Sequence, residues 1–335
     1  MRALLTGDLH AGKGARYERV PGDRLAEQAA VWTRTLELAR ERGCDVILHA
    51  GDLFDHRRPG PDVMMAVERP LVEHRDAGGC PVVFVLGNHE SAGDNPTAPA
   101  VFGLAGLIEM HDRPGITQVG DVSIACLPWA PVSRIVAAQN GGDRDDVNQL
   151  AAELLIETAR GLRAEIDGPA ILLTHFSISG ASLPGGMTSD QLREPVLPLE
   201  ELERLGFDAI VAGHLHPPQL LASNPAEPEV PILYVGSPLP LDFGEGGYEH
   251  GCWILDLDGV RGATVPEFVP VESRRFLTFE RELVEIPGVG VTVAEPIFDI
   301  ADAFVKVRVS TTAELARRAD FARIREDLLT VGAYN

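Results

Sequence analysis

Residues 45–56 read DVILHAGDLFDH, and this stretch decides the expected fold. Val46 to Leu48 form a short apolar run of the kind that makes a buried β-strand. Gly51 lets the backbone turn sharply, so Asp52 is expected to project from the carboxyl end of that strand. Open α/β sheets bind their ligands at this edge. The stretch therefore predicts an α/β protein with a functional site at Asp52.

Four other segments repeat this arrangement of an apolar run followed by residue types that bind metals. They supply Asp8 and His10, Asn88 and His89, His175, and the pair His214 and His216. A lone Gly-Asp after a strand is a common start of a loop, but the repetition behind five strands indicates a common site. Asp52 is accordingly predicted to be the shared ligand of a two-metal centre.

The first of these segments also has a competing interpretation. Residues 7–14, GDLHAGKG, nearly match the phosphate-binding pattern G-x-x-x-x-G-K-[ST], but Gly14 stands where that pattern needs Ser or Thr. The carboxylate of Asp8 would also repel a phosphate. Residues i and i+2 of an extended segment point the same way, so Asp8 and His10 are better explained as two ligands of one cation.

The order of apolar patterns predicts a sheet with parallel strands. Helices are expected over 23–42 and 63–77, between strands near 3–6, 46–48 and 82–86, which is a βαβ arrangement.

The second half of the main domain predicts antiparallel pairing as well. Residues 116–119 and 122–127 flank a Gly-Asp turn and predict a hairpin. A long helix is expected over 147–166, and the Gly-, Ser- and Pro-rich residues 180–198 should form a loop over the site. The run 252–256 is expected to be the last core strand.

The pattern of apolar and polar residues changes near residue 271. Residues 304–309 alternate in polarity like a half-exposed strand, and residues 313–329 predict an amphipathic helix. We therefore expect a main domain over 1–270 and a small separate lobe over 271–335.

Composition limits the classes of function. The net charge of −21 is unfavourable for nucleic-acid binding, although residues 271–335 carry nine Lys/Arg against eleven Asp/Glu and are nearly neutral. The four cysteines lie far apart and predict neither a zinc site nor a redox pair. No apolar run approaches the roughly 20 residues of a membrane span, and no signal peptide precedes the first strand. We expect a cytoplasmic protein without membrane association.

Taken in order, the motifs D-x-H, G-D, G-N-H-E, a lone His and G-H-x-H resemble the calcineurin-like metallophosphoesterase superfamily over residues 1 to about 256. Within it, residues 51–55, 87–90 and above all 236–245 look most like the SbcD nucleases of bacterial double-strand-break repair. This resemblance implies two packed mixed β-sheets flanked by helices, with a small C-terminal α+β cap lobe.

The resemblance also implies roles for the candidate residues. It places Asp8, His10, Asp52 and His216 at one divalent metal ion, and Asp52, Asn88, His175 and His214 at a second. His89 would be the catalytic residue that stabilises the transition state and assists the leaving oxygen; the alternative is a residue that only orients Asn88. Oxygen and imidazole ligands without thiolate favour Mn²⁺, with Mg²⁺, Fe or Zn²⁺ as alternatives.

Substrate contacts are expected next to the second motif, at Asp55, His56, Arg57 and Arg58. Some relatives of SbcD carry His at the position of Asp55, so a nucleic-acid contact there stays open. The two arginines either touch DNA phosphates or are simply solvated.

The resemblance implies a manganese-dependent 3′→5′ exonuclease and single-strand endonuclease of DNA repair, working as a homodimer with an SbcC-like ATPase. The alternative is a metallophosphodiesterase that uses the same metals on a cyclic nucleotide or other small nucleotide phosphodiester. The acidic composition favours this alternative, whereas the additional lobe does not. Family members usually continue beyond 335 residues, so the chain is expected to be short or truncated.

Overall fold

The computed structural model describes residues 1–14, 17–18, 20–91, 97–136, 144–221, 230–258, 262–295 and 297–334. The chain forms two compact units. The first unit comprises residues 1–13, 25–239 and 249–272, and the second comprises residues 14–24, 240–248 and 273–335. The domain boundary at residue 270 stays a prediction.

The secondary structure alternates between strands and helices through most of the first unit and is then dominated by strands. The helices are α1 (Asp23–Glu41), α2 (Pro61–Asp76), α3 (Ala98–Leu104), α4 (Val132–Ile135), α5 (Arg144–Ala164), α6 (Leu199–Glu203), α7 (Ala313–Arg318) and α8 (Phe321–Thr330). The strands are β1 (Arg2–Thr6), β2 (Val46–His49), β3 (Val82–Val85), β4 (Glu109–His111), β5 (Gly115–Val119), β6 (Val122–Leu127), β7 (Ala170–Thr174), β8 (Ser177–Ile178), β9 (Val196–Leu197), β10 (Ala209–Ala212), β11 (Gln219–Leu221), β12 (Ile232–Tyr234), β13 (Gly251–Asp258), β14 (Gly262–Ala263), β15 (Glu267–Pro270), β16 (Phe276–Ile286), β17 (Gly290–Val293) and β18 (Phe304–Ser310).

The first unit contains two mixed sheets, as predicted. One has the order β14-β13-β1-β2-β3-β4, with β15 also paired to β13, and the other has the order β11-β12-β10-β7-β6-β5. Four strands of each sheet run parallel: β1, β2, β3 and β4 in the first, and β12, β10, β7 and β6 in the second. The remaining strands pair antiparallel. The β5–β6 hairpin is confirmed. The sheet continues beyond β13 through β15, so residues 252–256 are not its last strand.

A shared apolar core joins the two sheets. Side chains such as Leu5 and Leu48 from one sheet and Ile171 and Val211 from the other are fully buried in a single cluster. The strands are apolar at consecutive positions because both of their faces are covered. Helix α5 covers the opposite face of the second sheet with Leu155, Ile156 and Ala159 among its buried side chains.

Strand register brings the candidate motifs to one edge of the first unit. Thr6 at the end of β1 pairs with His49 at the end of β2, and Thr174 of β7 pairs with Ala212 of β10. Parallel strands in register end at the same level, so the segments that follow β1 and β2 begin side by side in one sheet, and those that follow β7 and β10 begin side by side in the other.

The second unit has a three-stranded sheet, β17-β16-β18, and an aromatic cluster of Tyr17, Phe243, Phe276 and Phe304. The strand predicted near residues 304–309 is confirmed as β18.

The helix predicted over residues 313–329 is divided into two. Ala319 has extended dihedrals, which end α7, and the Asp320 carboxylate accepts the Arg323 N–H, which caps α8. Within the described residues, no helix is both long and apolar enough to cross a membrane.

Candidate metal centre

The loops that carry the candidate ligands pack too closely for side chains at certain glycines. A Cβ at Gly87 would overlap the carboxylate of Asp52, and one at Gly213 would overlap the carbonyl oxygen of Ala50. These two glycines therefore let the segments after β3 and β10 approach the segment after β2.

Backbone strain is concentrated in the same segments. Asp8, His10, Asp52 and His214 all have positive φ, at 50°, 47°, 52° and 92°. Among the described non-glycine residues only Asp299 and Asp302 share this feature. A left-handed conformation at such residues costs on the order of 1–3 kcal/mol each and persists where the surrounding structure enforces it.

Asp52 lies at the centre of the arrangement and is almost completely buried. Its Oδ2 atom is 3.6 Å from Nε2 of His10 and 3.4 Å from Nε2 of His175. Its Oδ1 atom accepts the backbone N–H of His89 at 3.0 Å. One carboxylate oxygen thus faces two different histidines, while the other is held by the backbone.

The first group of donors surrounds His10. Nε2 of His10 is 3.2 Å from Nε2 of His216, and donor atoms of Asp8, His10 and His216 all lie within 4.8 Å of one another. Both oxygens of Asp8 accept the backbone N–H of His214, at 3.0 and 3.1 Å, which fixes the position of this carboxylate.

The second group surrounds Asn88. Its Oδ1 atom lies 3.0 Å from Nε2 of His175 and 3.0 Å from Nδ1 of His214. His175 in turn contacts the shared oxygen of Asp52. The four side chains Asp52, Asn88, His175 and His214 therefore form a continuous second set.

Hydrogen-bond acceptors hold the outer nitrogens of these rings. Nδ1 of His175 donates to the carbonyl oxygen of Ala50 at 2.5 Å, and Nε2 of His214 lies 2.8 Å from Oε1 of Glu194. By contrast, Nδ1 of His10 lies 3.3 Å from Oδ1 of Asp55 without the geometry of a hydrogen bond. The acceptors at His175 and His214 favour a proton on the outer nitrogen, so that the neutral ring has its lone pair on the inner nitrogen.

His89 sits beside the two groups with its ring about one-third exposed. Its Nδ1 atom donates to the backbone carbonyl oxygen of Asp55 at 2.8 Å, and its ring contacts that of His10 edge to face. One of its donor atoms falls within 4.8 Å of donors of His10 and Asp52. Its other nitrogen, Nε2, takes no part in the hydrogen bond to Asp55.

The predicted substrate contacts have different surroundings. Asp55 is mostly buried, with carboxylate oxygens 3.3 Å from His10, 3.6 Å from Nδ1 of His89 and 4.0 Å from Nζ of Lys13. His56, Arg57 and Arg58 are exposed. The side chain of Asp55 is thus directed at the histidines, and the three residues that follow it are open to solvent.

Sequence reasoning assigned no function to two carboxylates of the site. Glu90, in the G-N-H-E motif, is fully buried and accepts the backbone N–H groups of Phe54 and Gly87. Burial and the nearby charge of Asp52 raise the pKa of Glu90 to about 8. Glu194, which contacts His214, belongs to no motif; its position in the loop predicted over the site was the only signal.

Electrostatic interactions couple the central residues of the site. Burial by itself would raise the pKa of Asp52, but the adjacent His175 lowers it below the usual range. Burial by itself would lower the pKa of His175, but Asp52 raises it.

Burial lowers the pKa of His10 despite the nearby Asp55 and Asp52. Burial disfavours ionised Glu194 too, but its hydrogen bond with His214 lowers its pKa.

These observations fit divalent cations. Two donors bound about 2.1 Å from one ion at right angles are about 3 Å apart, the spacing observed between His10 and His216 and around Asn88. Without a cation or proton, the inner nitrogens of His10 and His216 would present lone pairs to each other. Imidazole and oxygen donors without thiolate suit Mn²⁺, Fe, Zn²⁺ or Mg²⁺.

Comparison with known proteins identifies a family and many similar solved structures, two of which are described below. The family model described as calcineurin-like phosphoesterase matches residues 1–218. A dimetal phosphatase from Danio rerio is similar at a TM-score of 0.44 and 12% identity, covering 76% of this chain and 92% of that one. TT1561 of Thermus thermophilus is similar at a TM-score of 0.43 and 14% identity, covering 80% of this chain and 98% of that one.

Proposed function

The chain belongs to the calcineurin-like phosphoesterase family, whose members bind two divalent metal ions, and from this premise we propose that it is a phosphodiester hydrolase that acts on DNA. The proposed activity is that of an SbcD-type nuclease: 3′→5′ exonuclease and single-strand endonuclease in DNA repair. Mn²⁺ is the proposed metal.

The position of Asp52 Oδ2 carries the two-metal part of this proposal. This one oxygen faces His10 of the first group and His175 of the second. A carboxylate oxygen that faces both groups of donors could be shared by two cations held about 3.5–4 Å apart. We assign Asp8, His10, Asp52 and His216 to one ion, and Asp52, Asn88, His175 and His214 to the other.

The bound cations would neutralise charge on the phosphoryl oxygens and supply a nucleophile at neutral pH. The chain's own residues position the substrate and handle the leaving group. Nδ1 of His89 donates its proton to the carbonyl oxygen of Asp55, so we assign proton delivery to the leaving oxygen to Nε2 of the imidazolium form, which becomes the neutral ring after the transfer. Asp55 is assigned to orienting His10 and His89, and the exposed Arg57 and Arg58 to substrate phosphates.

DNA as the substrate is supported by the resemblance of residues 236–245 to the SbcD nucleases and by the presence of a second unit. By the same resemblance we propose a homodimer, an SbcC-like ATPase partner and a cytoplasmic location. Light scattering on the purified protein tests the dimer, since a single-chain mass would contradict it.

A small phosphodiester is the second candidate, and the charge distribution favours it. The net charge is −21, and several arginines of the second unit face carboxylates, among them Arg274 with Asp302 and Arg275 with Asp299. Arginines that are already paired contribute less to phosphate binding, on which DNA affinity largely depends.

Mn²⁺-loaded protein incubated with end-labelled duplex DNA and, separately, with bis(p-nitrophenyl) phosphate distinguishes the candidates. A DNA nuclease shortens the duplex progressively from its 3′ ends. Hydrolysis of the small diester with intact DNA would replace the DNA proposal with the second candidate. No hydrolysis of either substrate by protein that binds two Mn²⁺ would contradict both. Parallel reactions with Asp52→Asn exclude a contaminating nuclease.

A further inference from the structure

We infer that Glu194 is a positioning residue for His214: its carboxylate keeps the proton of the imidazole on Nε2 and leaves Nδ1 free to bind a cation. The inference rests on the proposed function, in which His214 is a ligand of the second ion. No sequence motif includes Glu194, and its role follows from contacts alone.

The first observation is a chain of hydrogen bonds. Nε2 of His214 is 2.8 Å from Oε1 of Glu194, and the hydroxyl of Ser177 donates to the same oxygen at 2.5 Å. Ser177 is buried and pairs with Val196 in the short β8–β9 ladder, two positions after Glu194. Ser177 therefore holds the side chain of Glu194 by a hydrogen bond, and the β8–β9 ladder fixes the backbone two residues after Glu194.

The second observation concerns the backbone of His214. Its N–H donates to Asp8, and its φ is 92°. With the backbone fixed in this strained conformation, the orientation of the imidazole depends on what its two nitrogens contact. Nδ1 faces Oδ1 of Asn88, and Nε2 faces Glu194.

Both neighbours are acceptors, and a neutral imidazole has one proton to donate. A hydrogen bond to a carboxylate is roughly twice as strong as one to a neutral amide oxygen. The proton therefore resides on Nε2, and the lone pair of Nδ1 points to the same space as Oδ1 of Asn88. Without Glu194 the proton would move to Nδ1 and donate to Asn88, and an incoming cation would have to displace it.

Histidine nitrogen NMR of the metal-free, ¹⁵N-labelled protein tests the tautomer directly, with the His214 signals identified by their loss in His214→Asn. We expect the Nε2–H tautomer in the parent protein and a shift toward Nδ1–H in Glu194→Ala. Glu194→Gln, which keeps the shape of the side chain, is expected to give an intermediate shift, since its amide oxygen is a weaker acceptor. An unchanged tautomer in both variants would overturn the inference.

Mn²⁺ titration provides the second readout. Loss of a residue that orients a metal ligand typically lowers metal affinity about 10–100-fold. In Glu194→Ala we expect this loss of affinity for one of the two ions, while the affinity for the other ion stays within a few-fold of the parent. In Ser177→Ala we expect a smaller loss for the same ion. Glu201→Ala is the matched control, because the Glu201 carboxylate pairs only with Arg160 and Arg204 among the contacts described.

The titration also separates the two proposals. If the parent protein binds a single ion, the proposed two-metal function fails, while the NMR measurement still decides the role of Glu194. If the parent binds two ions and Glu194→Gln and Glu194→Ala bind both with parental affinity, the positioning role fails and the two-metal function stands.

Discussion

The Nε2 atoms of His10 and His216 lie 3.2 Å apart, although the two residues are 206 positions apart in the chain. His10 follows β1 in one sheet, and His216 follows β10 in the other. Two imidazole nitrogens hold this separation favourably when a cation or a proton lies between them. The contact therefore couples the packing of the two sheets to the chemistry of the site.

Asp52→Asn is expected to cost both metal ions much of their affinity, because it removes the anionic oxygen that faces His10 and His175. Elemental analysis after gel filtration in metal-free buffer would detect well below one ion per chain, against two for the parent. Asp62→Asn, an exposed carboxylate in the first turn of α2, should retain both ions. Two ions still bound to Asp52→Asn would refute the bridging role.

His89→Asn is expected to keep both metal ions and lose about 10²–10⁴-fold in turnover, the usual contribution of general-acid catalysis. Its ring lies beside the two donor groups, with Nδ1 already bonded to the backbone of Asp55. Steady-state kinetics on a small phosphodiester and elemental analysis test the two halves separately. Asp121→Asn, at an exposed position in the turn between β5 and β6, is the control. Turnover of His89→Asn within a few-fold of the parent would assign His89 a structural role.

Two glycine substitutions should have opposite effects on stability. Gly213→Ala places a Cβ against the carbonyl oxygen of Ala50, and such overpacking costs roughly 1–3 kcal/mol. Gly161→Ala, exposed within α5 and open around its Cβ position, should stabilise the protein by roughly 0.5–1 kcal/mol. Urea unfolding measures both changes. Equal stability of the two variants would show that the segments after β2 and β10 pack less closely than described.

Thiol reactivity should depend steeply on pH. Burial raises the pKa of Cys44 and of Cys80 to about 11. The reactive species is the thiolate, so a raised pKa keeps these thiols protonated and slow to react at pH 8. Labelling of native protein with iodoacetamide should accelerate about tenfold per pH unit between pH 8 and 10. Rapid labelling of either residue at pH 8, read by mass spectrometry, would contradict this prediction.

If the second unit contacts DNA, charge reversal there should reduce the salt dependence of binding. Arg317→Glu with Arg323→Glu is expected to weaken duplex binding and lower the slope of log affinity against log salt by roughly 2, since each phosphate contact contributes about 0.9. The double variant Arg40→Glu with Arg69→Glu makes the same charge change at exposed positions of α1 and α2. An identical slope for both double variants would argue against DNA contact by α7 and α8.

Local patterns were sufficient to predict most of the fold. Continuous apolar runs predicted β2 and β3 to within a residue or two, because a strand covered on both faces must be apolar throughout. The same patterns failed at residues 313–329, where an amphipathic period continues across Ala319 but the backbone does not. The hydrophobic period indicates which side chains would share a helix face, but it does not show whether the backbone stays helical between them.

The sequence by itself determined which residue types end the buried strands, and hence that oxygen and imidazole donors converge at one sheet edge. Only the tertiary structure decided which atoms meet: that one oxygen of Asp52 faces both histidines, and that Glu194 holds His214. Motif spacing records neighbours along the chain, whereas these contacts depend on the packing of two sheets and on the loop between β8 and β9, which carries Glu194. Contacts between distant segments leave no periodic signal in the sequence, which is why Glu194 was identified from the structure.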